Sequence, residues 1–156
     1  MAVKQVILVR RVYPDGKGGT FKPRWGKLMA QVAHASMKVF FDRAKFFGPN
    51  RVVINGLSER NIEPCMMASL TPEMREWAEG LFTKIVLTVD SEENLLLALK
   101  MAEEAGLPCA LITDAGLTEF NGKPTNTCIA IGPAKAADID KITGPDPIGA
   151  IKTRLP

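Results

Sequence analysis

Runs of apolar residues alternate along the chain with segments in which apolar side chains recur every three or four residues. The runs predict strands, because a strand buried on both faces is apolar at nearly every position. The three-to-four spacing puts side chains on one face of a helix. Predicted strands cover residues 4–12, 84–89, 108–113 and 127–131, and predicted helices cover residues 24–47, 71–82, 95–105 and 134–142. The alternation is typical of a layered α/β domain with helices on both faces of one sheet.

The ends of some elements carry their own signals. The triplet Thr-Pro-Glu at 71–73 supplies a capping hydroxyl, a proline at the first helical position and an acid in the first turn. Gly-Pro-Asn at 48–50 predicts the end of the first helix. Residues 50–70 carry no clear pattern, and two interpretations stay open there: a short strand at 52–54, and a loop or a poor helix at 62–70.

The first predicted helix has a polar face. Its members are Lys27, Gln31, His34 and Lys38. They lie within about 60° of one another around the helix axis and opposite a stripe expected to pack, which consists of Trp25, Val32 and Ser36. An ordinary solvated face is one interpretation and a functional face is the other. The second is favoured because the face holds the only histidine and two lysines, without the glutamates that commonly pair with lysine on a solvated helix.

Charge is distributed unevenly along the chain. Residues 1–60 contain 12 lysines and arginines against three acids, whereas residues 61–156 contain eight against 14, which gives net charges of +9 and −6. A basic face built by the N-terminal elements suits a polyanion such as RNA. Lysines that merely solvate the surface would give the same counts, so this alternative also stays open.

Size and cysteine content narrow the class of protein. A chain of 156 residues with 46% hydrophobic composition has the size of one compact domain. Cys65, Cys109 and Cys128 are odd in number and lack metal-binding spacing, which favours reduced thiols in a cytoplasmic protein. The apolar stretch at the N-terminus is too short for a signal peptide, and no run of about 18 apolar residues occurs. We therefore expect neither secretion nor a membrane span.

Two further polar residues stand at predicted strand ends. Asp114 follows the apolar run 108–113 and so stands at the C-terminal end of a predicted strand, where α/β sheets bind their ligands. An aspartate at this position also suits an ordinary turn. Thr127 begins the next strand after the polar loop 122–126. The spacing of glycine and lysine excludes a Walker motif, and no Gly-x-Ser-x-Gly elbow occurs. One histidine and scattered cysteines cannot build an ordinary zinc site. We expect no metal and no cofactor.

Six stretches carry a resemblance. The first reads Gly26-Lys27-Leu28-Met29-Ala30-Gln31-Val32-Ala33-His34-Ala35, and the others are residues 84–89, 105–108, 114–118, 127–133 and 139–144. In this order they resemble the class II, archaeal and eukaryotic type, peptidyl-tRNA hydrolase family, whose motif is Gly-Lys-x-x-Ala-Gln-x-x-His-Ala. The set is specific, whereas no single stretch would be.

The resemblance implies a single three-layer α/β domain over residues 1–156, with a mixed, mostly parallel central sheet covered by helices on both faces and an expanded segment at about 48–80. It implies a homodimer that hydrolyses the ester bond of peptidyl-tRNA without a metal. We expect no DNA partner and no membrane partner. Catalytic positions are expected at Lys27, His34, Asp114 and Thr127. Contacts to substrate or tRNA are expected at Gln31, Thr118, Lys38, Lys22, Arg24 and Arg10.

The residue types favour attack by a positioned water without a covalent enzyme intermediate, since no activated nucleophile pair is evident. Asp114 would accept a hydrogen bond from the water or from the peptide amide, and Lys27 would stabilise negative charge on the ester oxygen or the leaving ribose oxygen. Thr127 would orient the acid or the water. For His34, a role as a base and a role as a phosphate ligand both stay open.

The chain also departs from the family. Leu117 stands where the family commonly has arginine, and the loop after the first strand is longer and rich in glycine and lysine. These departures leave room for two alternatives. One is a non-catalytic RNA-binding or adaptor domain that has kept the fold. The other is an enzyme that removes other acyl groups, including misacylated amino acids, from tRNA.

Overall fold

The structure is a computed structural model, and it describes residues 2–47, 52–54, 57–60, 64–144, 151 and 153–155. The predicted helix end at 48–50 lies outside these residues. In chain order the elements are β1 (Val3–Arg10), β2 (Tyr13–Pro14), β3 (Thr20–Phe21), α1 (Trp25–Phe41), β4 (Ala44–Phe47), β5 (Val52–Ile54), β6 (Leu57–Arg60), β7 (Cys65–Ala68), α2 (Pro72–Glu79), β8 (Lys84–Val89), α3 (Glu92–Glu104), β9 (Cys109–Asp114), β10 (Thr125–Lys135) and α4 (Ala136–Thr143).

The central sheet has the strand order β8-β1-β10-β9. β1 pairs with β8 in parallel, whereas β10 pairs antiparallel with both β1 and β9. The sheet is mixed, as predicted, but the prediction of mostly parallel pairing is wrong. β1, β8 and β9 do point the same way. Because β10 runs in the opposite direction between two of them, only the pairing of β1 with β8 is parallel within this sheet. No crossover helix separates β9 from β10, which suits an antiparallel pair.

Helices cover both faces of the sheet, so the predicted three layers are confirmed. Alternate residues of β1 point to opposite faces. Val6 and Leu8 enter a core with α3 and α4, and Ile7 and Val9 enter a core with α1 and α2. All four side chains are 0–2% exposed. This double burial explains the continuous apolar run in the sequence of β1.

The first helix is shorter than predicted. It ends at Phe41, and residues 44–47 form β4, which pairs antiparallel with β7. The prediction of helix as far as residue 47 is wrong, because a strand partner about 20 residues further along the chain decides the backbone there. The possible strand at residues 52–54 is confirmed as β5. The possible loop or poor helix further on contains β7 instead, at Cys65–Ala68.

A short hairpin follows β1. β2 and β3 pair through Tyr13 and Phe21, and the Asp15 side chain accepts hydrogen bonds from the backbone N–H groups of Lys17 and Gly19, both at 2.8 Å. The rings of Tyr13 and Phe21 lie 4.8 and 6.0 Å from the ring of Phe120. The glycine-rich loop is therefore fastened both by its own turn and by an aromatic cluster.

One residue at the edge of the sheet, Thr88 on β8, pairs with Arg154. Arg154 forms an antiparallel bridge with Thr88 on β8, through two backbone hydrogen bonds of 2.7 and 3.1 Å. The Arg154 guanidinium also pairs with Asp90. Among the described residues, no helix is long and apolar enough to cross a membrane.

A buried polar contact fixes α1 on β1. The Ser36 hydroxyl donates to Gln5 Oε1 at 2.7 Å, and Gln5 Nε2 lies 3.3 Å from the carbonyl oxygens of both Ser36 and Gly132. Gln5 is fully buried. Buried polar groups must be paired, so this contact admits one rotation of the helix against the strand.

Ser36→Ala should lower the free energy of unfolding by about 1–3 kcal/mol, because the buried Gln5 Oε1 would lose its donor. Chemical denaturation of the two proteins measures this difference. Ser69→Ala, at an exposed serine, is the matched control and should change stability by less than about 0.5 kcal/mol. Equal stabilities for wild type and Ser36→Ala would contradict the role given to this contact.

Candidate active site

An ion pair between Lys27 and Asp114 lies where the first turn of α1 meets the end of β9. The Lys27 Nζ and Asp114 Oδ2 atoms are 2.5 Å apart, and the side chains are 17% and 11% exposed. Asp114 is the last residue of β9. The pair is therefore largely shielded from water, while part of each side chain stays accessible.

A chain of hydrogen bonds supports the carboxylate from inside the protein. Gln31 Nε2 donates to Asp114 Oδ2 at 2.7 Å, and the Thr127 hydroxyl donates to Gln31 Oε1 at 2.6 Å. The backbone N–H of Gly116 donates to Asp114 Oδ1 at 2.8 Å. Thr127 is fully buried and Gln31 is 2% exposed. These contacts fix the orientation of the Asp114 side chain.

The surroundings of Asp114 act on its pKa in opposite directions. Partial burial raises the pKa, whereas hydrogen bonds from Lys27, Gly116 and Gln31, together with the Lys27 charge, lower it. The lowering effects prevail, so the pKa of Asp114 lies below its ordinary value of 3.8. The group is a carboxylate at neutral pH. Such a carboxylate is a weak base but a good hydrogen-bond acceptor.

The pair retains unused hydrogen-bonding capacity. An ammonium has three N–H donors, and a carboxylate has about four acceptor positions. Lys27 uses one donor on Asp114 and another on the Thr118 hydroxyl, 3.2 Å away. Asp114 accepts from Lys27, Gln31 and Gly116. Counted over the described residues, one donor of Lys27 and one acceptor position of Asp114 are left close together.

The ion pair lies beside a cleft of about 370 Å³. The walls of the cleft are Arg24, Gly26, Lys27, Thr118 and Glu119. Arg24 Nε and Glu119 Oε1 are 2.7 Å apart. The ring of Phe120 lies 5.6 Å from the Lys27 ammonium, an arrangement in which the ring attracts the cation. Because Lys27 lines the cleft, a substrate that enters it can reach the Lys27 ammonium.

Residues 3–145 match the family model described as Peptidyl-tRNA hydrolase PTH2. The chain is 37% identical over 145 residues to the Peptidyl-tRNA hydrolase of Methanopyrus kandleri, which covers 93% of this chain and 97% of that protein. Proteins of the same name from Halobacterium salinarum and Methanocaldococcus jannaschii are 36% and 34% identical over 142 residues, or 91% of this chain and 96% of each relative. The chain belongs to the peptidyl-tRNA hydrolase PTH2 family. The resemblance seen in the sequence motifs is thereby confirmed.

In this member of the family, five of the predicted site residues meet at one place. They are Lys27, Gln31, Asp114, Thr118 and Thr127. They come from α1, from β9 with the turn after it, and from β10, which are far apart in sequence. Their catalytic and substrate-binding roles stay predictions. The residues lie close enough together to act in one site.

The remaining predicted residues lie outside this cluster and differ in their partners. Arg10 is mostly buried and pairs with Glu92 at 2.8 Å, Arg24 pairs with Glu119 as described, and Lys38 pairs with Asp42 at 2.5 Å. Lys22 and His34 are exposed, and neither forms a hydrogen bond or an ion pair within the described part of the chain. Their side chains remain accessible to solvent.

The predicted division of α1 into a packed and a polar face is partly wrong. Gln31, placed on the polar face, is buried because Thr127 and Asp114 supply its hydrogen-bond partners. Trp25, placed on the packed stripe, is 55% exposed. Lys38 has an acidic partner four residues further along the chain, Asp42. A functional face was favoured because glutamates are absent, and that reason did not include this aspartate.

Two residues that line the site carried no recognisable signal in the sequence. Phe120 lies over Lys27, and Glu119 holds both the side chain and the backbone N–H of Arg24. The sequence hinted at their place in the site only in that both residues follow Asp114 closely along the chain. Among the described residues, no group of three or more His, Cys, Asp or Glu side chains could hold a metal ion.

Gly116→Ala should destabilise the protein by about 2–5 kcal/mol and lower its activity. Gly116 has a φ of +81°, and an added Cβ would collide with the backbone of Lys123. Gly122→Ala is the matched control, because Gly122 has a φ of +73° with no atom within 4 Å of the Cβ position. Its free energy of unfolding should fall only by the cost of placing alanine at a positive φ, about 1–2 kcal/mol. Thermal denaturation compares the two variants, and equal losses would mean that close packing at Gly116 is unimportant.

Proposed function

We propose that the protein hydrolyses the ester bond of peptidyl-tRNA, an N-substituted aminoacyl-tRNA, and releases free tRNA and the peptide. The observation that carries this proposal is the unused donor of Lys27 close to the unused acceptor position of Asp114, next to an open cleft. Ester hydrolysis needs both kinds of group, since the ester oxygens gain negative charge while the attacking water gives up a proton. The names of the relatives support peptidyl-tRNA as the substrate.

Asp114 orients the attacking water. Its free lone pair accepts a hydrogen bond from the water, whose oxygen bonds to the carbonyl carbon of the ester. The bond from that carbon to the ribose oxygen then breaks. The hydroxyl of the water stays on the peptide as part of its carboxyl group, and the ribose oxygen takes up a proton. Because the pKa of Asp114 is low, the carboxylate aligns the water without retaining its proton.

Lys27 stabilises the negative charge that develops during this reaction. Its remaining N–H points at no described acceptor and is available to the ester oxygen. Two of the three donors are already held by Asp114 and Thr118, so little reorganisation is needed when the charge forms. This preorganisation is the usual source of large electrostatic rate effects.

Gln31 and Thr127 are positioning residues. The fully buried Thr127 hydroxyl acts through Gln31, since 2.6 Å separates Thr127 Oγ1 from Gln31 Oε1 and 2.7 Å separates Gln31 Nε2 from Asp114 Oδ2. Thr127 thus sets which way the Gln31 amide points. A reversed amide would place an oxygen against the carboxylate.

The basic residues around the cleft bind tRNA phosphates in this proposal. Lys22, Arg24 and Lys38 are exposed or partly exposed cations. His34 lies about 10 Å along α1 from Lys27, given a rise of about 1.5 Å per residue. At that distance from the ester, a phosphate is its expected partner. Arg10 is mostly buried in its pair with Glu92, so we give it a structural role and no phosphate contact.

Lys27→Met should lower the turnover of N-acetylaminoacyl-tRNA by about 100-fold or more, because it removes one electrostatic donor without removing bulk. Release of free tRNA, followed with a chelator and a fixed small excess of magnesium, measures this rate. Lys100→Met is the matched control and should retain full turnover, since Lys100 lies on α3 across the sheet and is 70% exposed. An unchanged rate for Lys27→Met would move the active site elsewhere.

The same assay separates the alternatives. Hydrolysis of N-acetylaminoacyl-tRNA but not of free aminoacyl-tRNA is expected. Hydrolysis of both would favour broader deacylation, and binding without hydrolysis of either would favour a non-catalytic RNA-binding domain. A loss of activity in chelator that one divalent ion restores would contradict the proposed reaction.

We further propose that the protein acts as a homodimer in the cytoplasm. Four large side chains form an exposed apolar patch: Met37, Phe41, Phe46 and Met66. The rings of Phe41 and Phe46 are 6.4 Å apart, and Phe46 is opposite Met66 across the β4–β7 pair. Contiguous apolar surface of this kind commonly marks a protein interface. The three free cysteines suit the reducing cytoplasm, where peptidyl-tRNA is made.

Phe46→Glu should shift the protein from dimer to monomer, because it would bury a charge in the apolar patch. Sedimentation velocity measures the mass of each variant. Leu81→Glu is the matched control, since Leu81 is 96% exposed and lies outside the patch, and it should stay dimeric. A wild-type monomer at every concentration would end the dimer proposal, and a dimeric Phe46→Glu would place the interface elsewhere.

A further inference from the structure

An exposed tryptophan stands at the start of the helix that carries Lys27. Trp25 is the first residue of α1, and it is 55% exposed, whereas Trp77 is 1% exposed. The guanidinium carbon of Arg11 lies 4.3 Å from the centre of the Trp25 ring. Arg11 thus supports one part of the indole while more than half of the residue faces solvent.

Arg11 has a hydrogen-bond donor that no described residue accepts. Its Nη1 atom is buried and has no hydrogen-bond partner among the described residues. The neighbouring Arg10, by contrast, is held by Glu92 and by the carbonyl oxygen of Val12. The cationic group stacked on Trp25 is therefore not neutralised by an acid of the described chain.

A cavity of about 260 Å³ adjoins the indole. Trp25, Met29 and Val86 contribute to its wall, which is apolar apart from Arg11 and Thr88. Flat apolar surface next to a cation suits an unpaired nucleic-acid base, since a base has an apolar face, polar edges and a phosphate nearby.

The separation of Trp25 from Lys27 follows from their positions on α1. Trp25 and Lys27 are about 200° apart around α1, so their side chains leave opposite sides of the first turn. A helix with its side chains is about 10–12 Å wide, and a nucleotide advances about 3.4 Å along a stacked strand. About three nucleotides would therefore cross the turn. Gly26 lies between the two residues, with no atom within 4 Å of its Cβ position, and leaves that crossing open.

The charges along this route match an RNA strand. Arg24 borders the crossing with 82% of its side chain exposed, Lys22 is exposed, and the first turn of α1 contains no acid. Glu119 is the acid that pairs with Arg24. Arg11 and Lys22 have no acidic partner among the described residues. A second protein chain would gain less from these two cations beside an aromatic ring than a phosphodiester strand would.

We propose that Trp25, backed by Arg11, is a stacking surface for an unpaired base of the single-stranded 3′ end of the tRNA, about three nucleotides from the ester. The proposal rests on the proposed function, because it assumes that the ester lies at Lys27. It assigns Trp25 to substrate binding and gives it no part in the chemistry.

Kinetics on two substrates test the proposal. Trp25→Ala should raise KM for N-acetylaminoacyl-tRNA by about 5- to 150-fold, the usual effect of removing one stacking partner, with turnover at saturation unchanged. On N-acetylaminoacyl-adenosine, which ends before the stacking surface, wild type and Trp25→Ala should have equal kcat/KM. The dependence of affinity on salt should keep its slope, because no charge is removed. Leu81→Ala, at an exposed apolar residue elsewhere, should match wild type on both substrates.

Fluorescence tests the same contact without catalysis. A single-stranded RNA tetranucleotide ending in CCA should quench the emission of wild type through Trp25, since Trp77 is buried. Trp25→Phe should lose this quenching but keep most of the affinity for tRNA, because a ring remains. Thermal denaturation establishes that each variant is folded.

The outcomes separate this proposal from the proposed function. A hydrolytically active wild type whose Trp25→Ala variant keeps its KM for the tRNA substrate would overturn the stacking surface and leave the function intact. An equal rise in KM on the adenosine substrate would also overturn it. Quenching by RNA in a wild type that hydrolyses neither substrate would support the surface and end the function. A change of oligomeric state in Trp25→Ala without a change in RNA binding would assign Trp25 to a protein interface instead.

Discussion

The site depends on buried polar contacts that leave α1 one orientation on the sheet. Apolar contacts have no preferred direction, whereas a buried polar atom needs a partner at a defined position and costs about 1–3 kcal/mol without one. Ser36 is tied to Gln5 on β1, and Gln31 is tied to Thr127 on β10. With both contacts made, the first turn of α1 holds Lys27 within reach of Asp114. Apolar packing gives the domain its stability, and these two contacts give the candidate site a defined geometry.

The kinds of element could be predicted from the sequence because each depends on local pattern. The middle of β1, residues 6–9, is apolar at every position because it is buried on both faces. Helix α2 begins at a threonine cap followed by proline, as predicted. Pairing could not be predicted in the same way. The direction of β10 between β1 and β9, and the strand β4 where helix was expected, depend on partners distant in the chain. No local window contains that information.

In the candidate site, too, single residues could be predicted from local pattern, whereas their contacts could not. Periodicity singled out Lys27 and Gln31, and a strand end singled out Asp114, but their contact became an expectation only through resemblance to a family. Periodicity also put Gln31 outside and Trp25 inside, and the structure reverses both. The reason is that helical spacing reports direction around the axis, while burial depends on what lies opposite. Gln31 faces a hydroxyl and a carboxylate, whereas Trp25 lies against Arg11 beside an apolar cavity.

The bridge between Arg154 and Thr88 has a consequence for how the molecule meets other chains. β8 ends the sheet on one side, and an open strand edge is a template on which foreign strands can add, the first step of fibril growth. The last part of this chain occupies the N–H and C=O groups of Thr88 itself and adds a charged side chain beside Asp90. Thr88 also lines the cavity next to Trp25. Arg154 therefore removes Thr88 as a pairing point for a foreign strand at the position where β8 borders this cavity.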